Sequence, residues 1–361
     1  MNVKKLISGI ALCLLTKSLV GADYYNDLKA IESQRIKDLS GTKQSLQEIS
    51  KYKSEFSDSE KHLYWLLMAH SATMESDFAE AERLLLKIIN SDADIDYKGR
   101  AHSIFAAVSQ LQGKYVRSYM HFDKALGLIP KMQDEEYKAN VLQNAVSFYN
   151  DSGMVDYAMD YARRLLQLSI KTKDLAKQCQ SHYEMAFIEI SAEEYALAGN
   201  RLNQAYEVCR KANEGLFILH LPNLEADIAM SRKEFTKAKR LLEKSYIDVK
   251  KYGWPVLTSL TEIRLANLYF ETGRYDKAEK FASKAFSVSE DAGDVKRMRN
   301  ATQILAKTHS KLKNKDKAIE YYQLYMELEK KINTASRQRK LAYDQARQEL
   351  RAEALAKLES Q

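Results

Sequence analysis

The sequence predicts an all-α solenoid of about seven helical hairpins followed by a long C-terminal helix, and three observations carry that reading. A small residue returns at Ala69, Ala106, Val146, Ala186, Ala226, Ala266 and Ala306, spaced 37 residues apart once and 40 thereafter. A second column trails it by 12 residues, at Ala81, Ser118, Ala158, Ala198, Ala238, Ala278 and Ala318. The 361-residue chain holds only 12 Gly and 3 Pro, too few for a strand-and-turn protein or for long flexible linkers. A unit of this length cannot bury its apolar face alone. Stacking buries it and generates an extended concave surface.

Residues 1–22 come first and read as an export signal. Lys4 and Lys5 form the positive start, Leu6 to Leu15 the apolar run, and Val20, Gly21 and Ala22 a small-residue cleavage site before Asp23. The run is short for a membrane span. Leu12 stands before Cys13 where a lipoprotein signal carries Gly or Ala. The expected location is the periplasm, with cleavage after Ala22. Without Lys4, Lys5 and Lys17 the formal charge falls from +7 to +4, and both signs are interspersed, so no nucleic-acid footprint is expected. Residues 23–61 follow as a divergent N-terminal helical pair, then seven repeats over 62–333, then a charged C-terminal helix over 334–361.

The sixth hairpin is written most plainly. Leu265, Ala266, Leu268 and Tyr269 lie at helical spacing, Gly273 supplies a left-handed helix end, and Tyr275, Ala278, Ala282 and Ala285 begin and stripe the second helix. These residues resemble the tetratricopeptide repeat closely. The other hairpins match through Trp65, Ala69, Phe78 and Ala81; Ala106, Gly113, Tyr115, Ala125 and Pro130; Gly153, Val155 and Ala158; Tyr195, Ala198 and Ala205; and Phe235 and Ala238. The seventh departs, with Lys315 at the aromatic position and Tyr325 at a small one, as suits a terminal cap. The resemblance implies a right-handed superhelix whose units exceed the family's usual length of about 34 residues.

It also implies a groove. In such arrays the first helix of each hairpin lines the concave side. Carrying that phase over gives His70 in the first hairpin, Gln143 and Asn150 in the third, Tyr183 and Phe187 in the fourth, and Asn223, Asp227 and Met230 in the fifth. Asn267 and Phe270 follow in the sixth and Lys307 in the seventh. Amides and aromatics together suit an extended peptide. The basic clamp with which some tetratricopeptide proteins grip a C-terminal carboxylate is missing, because Ile263 and Asp227 occupy its positions. Cys179 and Cys209 fall at one end of the fourth hairpin and form a candidate disulfide, with two buried thiols as the alternative.

Catalytic and metal chemistry finds little support. Asp92, Asp94 and Asp96 alternate like the start of a calcium loop, but Tyr97 and Ser103 stand where Gly and Glu belong. The seven His show no zinc spacing, and His102 and His182 share a repeat phase suited to packing. No cofactor is expected. The tail beyond about Glu327 resembles the connector of periplasmic repeat regions in bacterial membrane signalling proteins, and self-association through it is one expectation. The function that follows is an exported, non-enzymatic module that binds a protein or peptide in its groove for envelope sensing or signalling. The alternative is a scaffold for a pilus, secretion or polysaccharide apparatus.

Overall fold

The computed structural model describes residues 23–35, 39–253 and 255–359. Residues 1–22, the expected export signal, lie outside them. The described residues form sixteen α-helices and no strand. They divide into two compact units, Met1–Gln133 and Asp134–Gln361.

Unit 1 holds α1 (Tyr25–Gln34), α2 (Leu39–Ile49), α3 (Asp58–Met74), α4 (Phe78–Ile89), α5 (Ile95–Leu111) and α6 (Tyr115–Leu128). Its α3 starts at a capping box: the Ser57 hydroxyl accepts from the Glu60 amide, and the Glu60 carboxylate accepts from the Ser57 amide. The same carboxylate accepts from the Tyr24 amide at 2.6 Å and ties α1 to α3. Deeper in, Arg100 of α5 and Glu32 of α1 form a buried ion pair at 3.0 Å. The aspartates that resemble a calcium loop have structural work instead. Asp94 caps α5, and Asp96 accepts from the Gln133 amide at 2.9 Å.

Unit 2 holds α7 (Glu135–Asp151), α8 (Val155–Lys171), α9 (Leu175–Ser191), α10 (Tyr195–Ala212), α11 (Gly215–Ser231), α12 (Phe235–Tyr252), α13 (Pro255–Glu271), α14 (Tyr275–Asp291), α15 (Val295–Lys311) and α16 (Lys315–Glu359). Its odd-numbered helices all run 17 residues and start 40 residues apart. The first helices within the stack, such as α9, α11 and α13, are buried broadly, because each meets its own partner and neighbouring hairpins of the unit. The second helices bury a single stripe, as Ala278, Ala282, Ala285 and Ser289 do in α14. Every residue of the two small columns is buried. A hydroxyl at that interface needs an acceptor, and Ser118 of unit 1 donates to the Ala106 carbonyl at 2.7 Å.

The turns repeat as faithfully as the helices. Positions 76, 113, 153, 193, 233, 273 and 313 all adopt positive φ, although only Gly113, Gly153 and Gly273 are glycines. At Gly273 the following amide, that of Arg274, reaches back to the Tyr269 carbonyl at 2.8 Å, closing the helix end. Ser76, Glu193, Lys233 and Lys313 take the same conformation at φ 61°, 61°, 59° and 60°. Stacking between hairpins therefore dictates the turn even where the residue resists it.

Candidate partner-binding groove

The repeat phase sets one column on the first helices of unit 2: Ser147, Phe187, Asp227, Asn267 and Lys307. Ser147, Asn267 and Lys307 are exposed, and Phe187 and Asp227 are half-buried. Phe187 also packs against the core formed by Cys179, Ala186, Ala198 and Cys209. The column thus seats its middle groups, Phe187 and Asp227, in the wall and leaves its end groups in solvent.

Asp227 carries the strongest polar feature of this surface. Both of its oxygens accept from Arg264 Nε at 2.9 Å, and Arg264 Nη2 lies 2.8 Å from Oδ2. Arg264 Nη1 also donates to the Leu260 carbonyl at 3.2 Å. Burial opposes the guanidinium's charge, yet the Asp227 carboxylate lifts its pKa above the ordinary value. The side chains remain 19% and 26% exposed, so the pair sits in the wall with an open edge. It presents a fixed dipole to whatever lies in the groove.

An aromatic cluster lies one hairpin earlier. The Tyr183 ring stands 5.2 Å from Phe217 and 5.8 Å from His220. Burial pushes the Tyr183 phenol up and the His220 imidazole down to about 4, so both are neutral near pH 7. Beside Tyr183, burial together with the negative charge of Asp151 pushes the Glu184 carboxyl up to about 7. Gln143 accepts from Lys177 Nζ, which also donates to Asn140 at 3.3 Å. In the last hairpin Gln303 donates to the Tyr325 hydroxyl at 3.5 Å.

The sequence-predicted residues do not all join this surface. Asn223 is 1% exposed and is a core residue: its amide donates to Thr261 Oγ1 at 3.0 Å, and its oxygen faces Ser245 Oγ at 3.4 Å. Its assignment to the groove is corrected, because the turn of α11 that carries it faces α12 and α13. Met230 and Phe270 pack beside the core of Ala226, Leu242, Leu265 and Leu268 and offer only an edge. Asn150 is half-buried at the end of α7. His70 belongs to unit 1, where burial, aided by Arg35 and Arg100, pushes its imidazole down to about 4. Sequence reasoning missed Arg264, Glu184, His220 and Lys177. The overlooked signal was a spacing, since Arg264 follows Asp227 by 37 residues and Lys177 follows Asn140 by the same interval.

Cys179 and Cys209 are joined by a disulfide with Cα atoms 4.7 Å apart, both fully buried at one end of the α9–α10 hairpin. His102 and His121 of unit 1 face each other at 3.0 Å between Nδ1 atoms; burial pushes them down to about 4 and about 3. Among the described residues, no three His, Cys, Asp or Glu side chains converge as a metal site would require. Nor is any described helix long and apolar enough to cross a membrane.

The tetratricopeptide repeat family model matches residues 257–331. By sequence the chain matches no curated protein. Its fold is that of helical repeat proteins of the tetratricopeptide type. A Rap protein complexed with competence and sporulation factor is similar at a TM-score of 0.61 and 15% identity, over 86% of this chain and 97% of that one. NprR in complex with its cognate peptide NprX gives 0.58 and 14%, over 80% and 84%. Aspartyl phosphate phosphatase F from Bacillus subtilis gives 0.55 and 16%, over 92% and 96%. At these identities the likeness concerns the fold.

Proposed function

We propose that the first-helix surface of unit 2 binds a polypeptide, and that the protein is a non-catalytic interaction module of the bacterial envelope. One observation carries this reading: Asp227, Asn267 and Lys307 recur at a single phase with open edges, on the helices that follow the aromatic cluster at Tyr183, and Arg264 pairs with the first of them. An extended backbone offers amides and carbonyls at regular intervals, which a row of amide, carboxylate and ammonium groups can meet. Aromatic edges at Tyr183 and Phe187 add contact area at small entropic cost. Of the proteins of similar fold, NprR is complexed with its cognate peptide NprX and a Rap protein with competence and sporulation factor, and this supports a peptide or protein partner here. The fold is generally an interaction module.

The leader at residues 1–22 supports export to the periplasm, where the partner would be an envelope or membrane signalling protein. Its removal should leave Asp23 as the N-terminus of the protein recovered from that compartment. The binding reading is tested with a photo-crosslinking residue placed in living cells at Asn267, and separately at Ile247, an exposed position on α12. A defined polypeptide should attach at position 267, not at 247, and its yield should fall when Asp227→Ala is added. Equal attachment at both positions would remove the groove from the account.

A further inference from the structure

The two ends of unit 2 meet. Lys296, at the start of α15, lies 3.4 Å from Asp151, at the end of α7. Farther along, α16 passes the α7–α8 turn. Arg339 Nη1 donates to the Asp151 carbonyl at 2.6 Å, and the Tyr343 hydroxyl donates to the Tyr157 hydroxyl at 3.1 Å. Those two tyrosine rings are 5.9 Å apart. Ser336 Oγ of α16 comes within 3.8 Å of where a side chain at Gly153 would begin. The contacts span 186 and 188 residues of sequence, within one compact unit.

Their chemistry differs from that of the rest of the array. Neighbouring hairpins are joined by fully buried apolar residues such as Ala266, Ala282 and Leu305. The closing contacts instead combine an ion pair more than half exposed on both sides with hydrogen bonds from the half-buried Arg339 and Tyr343, beside only two small buried residues, Ala342 and Ala346. Water competes for the exposed polar groups and salt screens the ion pair, so this seam is weaker than the apolar ones. A helix of 45 residues supplies the reach: only its first part is needed to complete the seventh hairpin, and the rest extends to the first hairpin of the unit. The lining from Gln143 to Lys307 runs from one of the joined hairpins to the other.

We propose that residues 336–343 of α16 are a releasable clasp that holds the first and last hairpins of unit 2 together and governs access to the lining between them. The proposal rests on the binding role of that lining for its biological consequence, but not for its physical content. With the clasp engaged, the stack is fixed in its closed turn and large molecules reach the lining slowly. With it released, the hairpins separate by small adjustments at each interface, and an extended chain can enter. A partner that prefers the open stack then shifts the equilibrium by its differential affinity for the two states.

Two measurements on the full chain test this, and neither needs the partner. Spin labels at Asp156 and Lys340 report the distance across the clasp. The parent should give one narrow distribution, and the Arg339→Ala/Tyr343→Ala variant a broader and longer one. With Cys13→Ser and the Cys179–Cys209 bridge intact, Asn267→Cys supplies a single free thiol that reports access to the lining through its reaction with a polymer-linked maleimide and with N-ethylmaleimide. Releasing the clasp should speed the polymer reagent about tenfold while the small reagent changes little, as expected for a population shift between closed and open states. Circular dichroism confirms that both surface substitutions leave the helices formed. An unchanged distance distribution overturns the clasp; a longer one with unchanged polymer rates overturns its control of the lining. Failure of crosslinking at Asn267 in cells would strike the binding role alone.

Discussion

Asn223→Ala separates a core role from a groove role at the one position where sequence and structure disagree most sharply. The amide is 1% exposed and bridges three helices, donating to Thr261 Oγ1 at 3.0 Å and facing Ser245 Oγ at 3.4 Å. Truncation removes both contacts, each worth about 1 kcal/mol net, and leaves a small void whose lining loses dispersion contacts worth about 1 kcal/mol more. The penalty stays in this range because neither hydroxyl is stranded: Ser245 can donate to the Leu219 carbonyl at 3.3 Å, and Thr261 to the Leu257 carbonyl at 3.5 Å. The expected loss is about 2–3 kcal/mol, or roughly 5–10 °C in Tm for a unit of this size. Thermal and urea unfolding of the variant check the figure, and a cycle with Thr261→Val should return a coupling of about 1 kcal/mol. A variant that unfolds with the parent while partner capture falls would refute the core assignment and restore Asn223 to the groove.

Three further outcomes follow from particular contacts. Removing the Cys179–Cys209 bridge by Cys179→Ala/Cys209→Ala should cost about 3–4 kcal/mol for a sequence separation of 30, seen as a lower urea midpoint; an unchanged midpoint would contradict it. The Glu184 carboxyl lies at about 7 in the fold against an ordinary 4.5, so the folded chain keeps a proton that the unfolded chain loses between these values. Stability should therefore fall as pH rises from 4.5 to 7 and then level off. Glu184→Gln should flatten that slope and raise stability above pH 7 by about 1–2 kcal/mol after screening by water in the groove, read as Tm against pH. Lys233→Gly should stabilise by about 0.5–1 kcal/mol, since the left-handed conformation at φ 59° costs a lysine more than the added freedom of the unfolded glycine; a lower Tm would count against this balance.

The fold was legible because its cause is periodic. Each hairpin needs a small residue where two helices cross, and the need recurs once per unit, so Ala266 and Ala278 announce the helices that carry them. Turns were legible only in part. Gly273 is visible as a helix end, whereas Glu193 and Lys313 adopt the same conformation with residues that disfavour it, because packing of the two helices they join outweighs a local cost of about 1–2 kcal/mol. The groove was less legible still. Asn223 shares the repeat phase of Gln143 and Tyr183, yet it is buried where they are half-buried, because the hydroxyls of Thr261 and Ser245 draw its amide into the core.

What could have been read, and was not, is the interval between partners on successive first helices. Asp227 meets Arg264 and Lys177 meets Asn140 at 37 residues, while Asn223 meets Thr261 and Arg297 meets Ser259 at 38. The repeat is 40, so contacts between adjacent parallel helices fall short of it by two or three residues, close to one helical turn. That deficit is what neighbouring helices shifted along their axes by part of a turn would give, and a shift of constant sign along a stack is what makes it coil. The same arithmetic locates polar groups that neutralise one another inside the wall. A side chain in the lining with an opposite charge 37 residues away, as Asp227 has, is already satisfied and can offer only its open edge. Asn267 has Ile304 at that interval and Lys307 has Asp344; the first of these has no polar group to answer it. Exposed and unmatched in phase, Asn267 is the lining amide whose hydrogen-bonding groups no opposite side chain at that interval can satisfy.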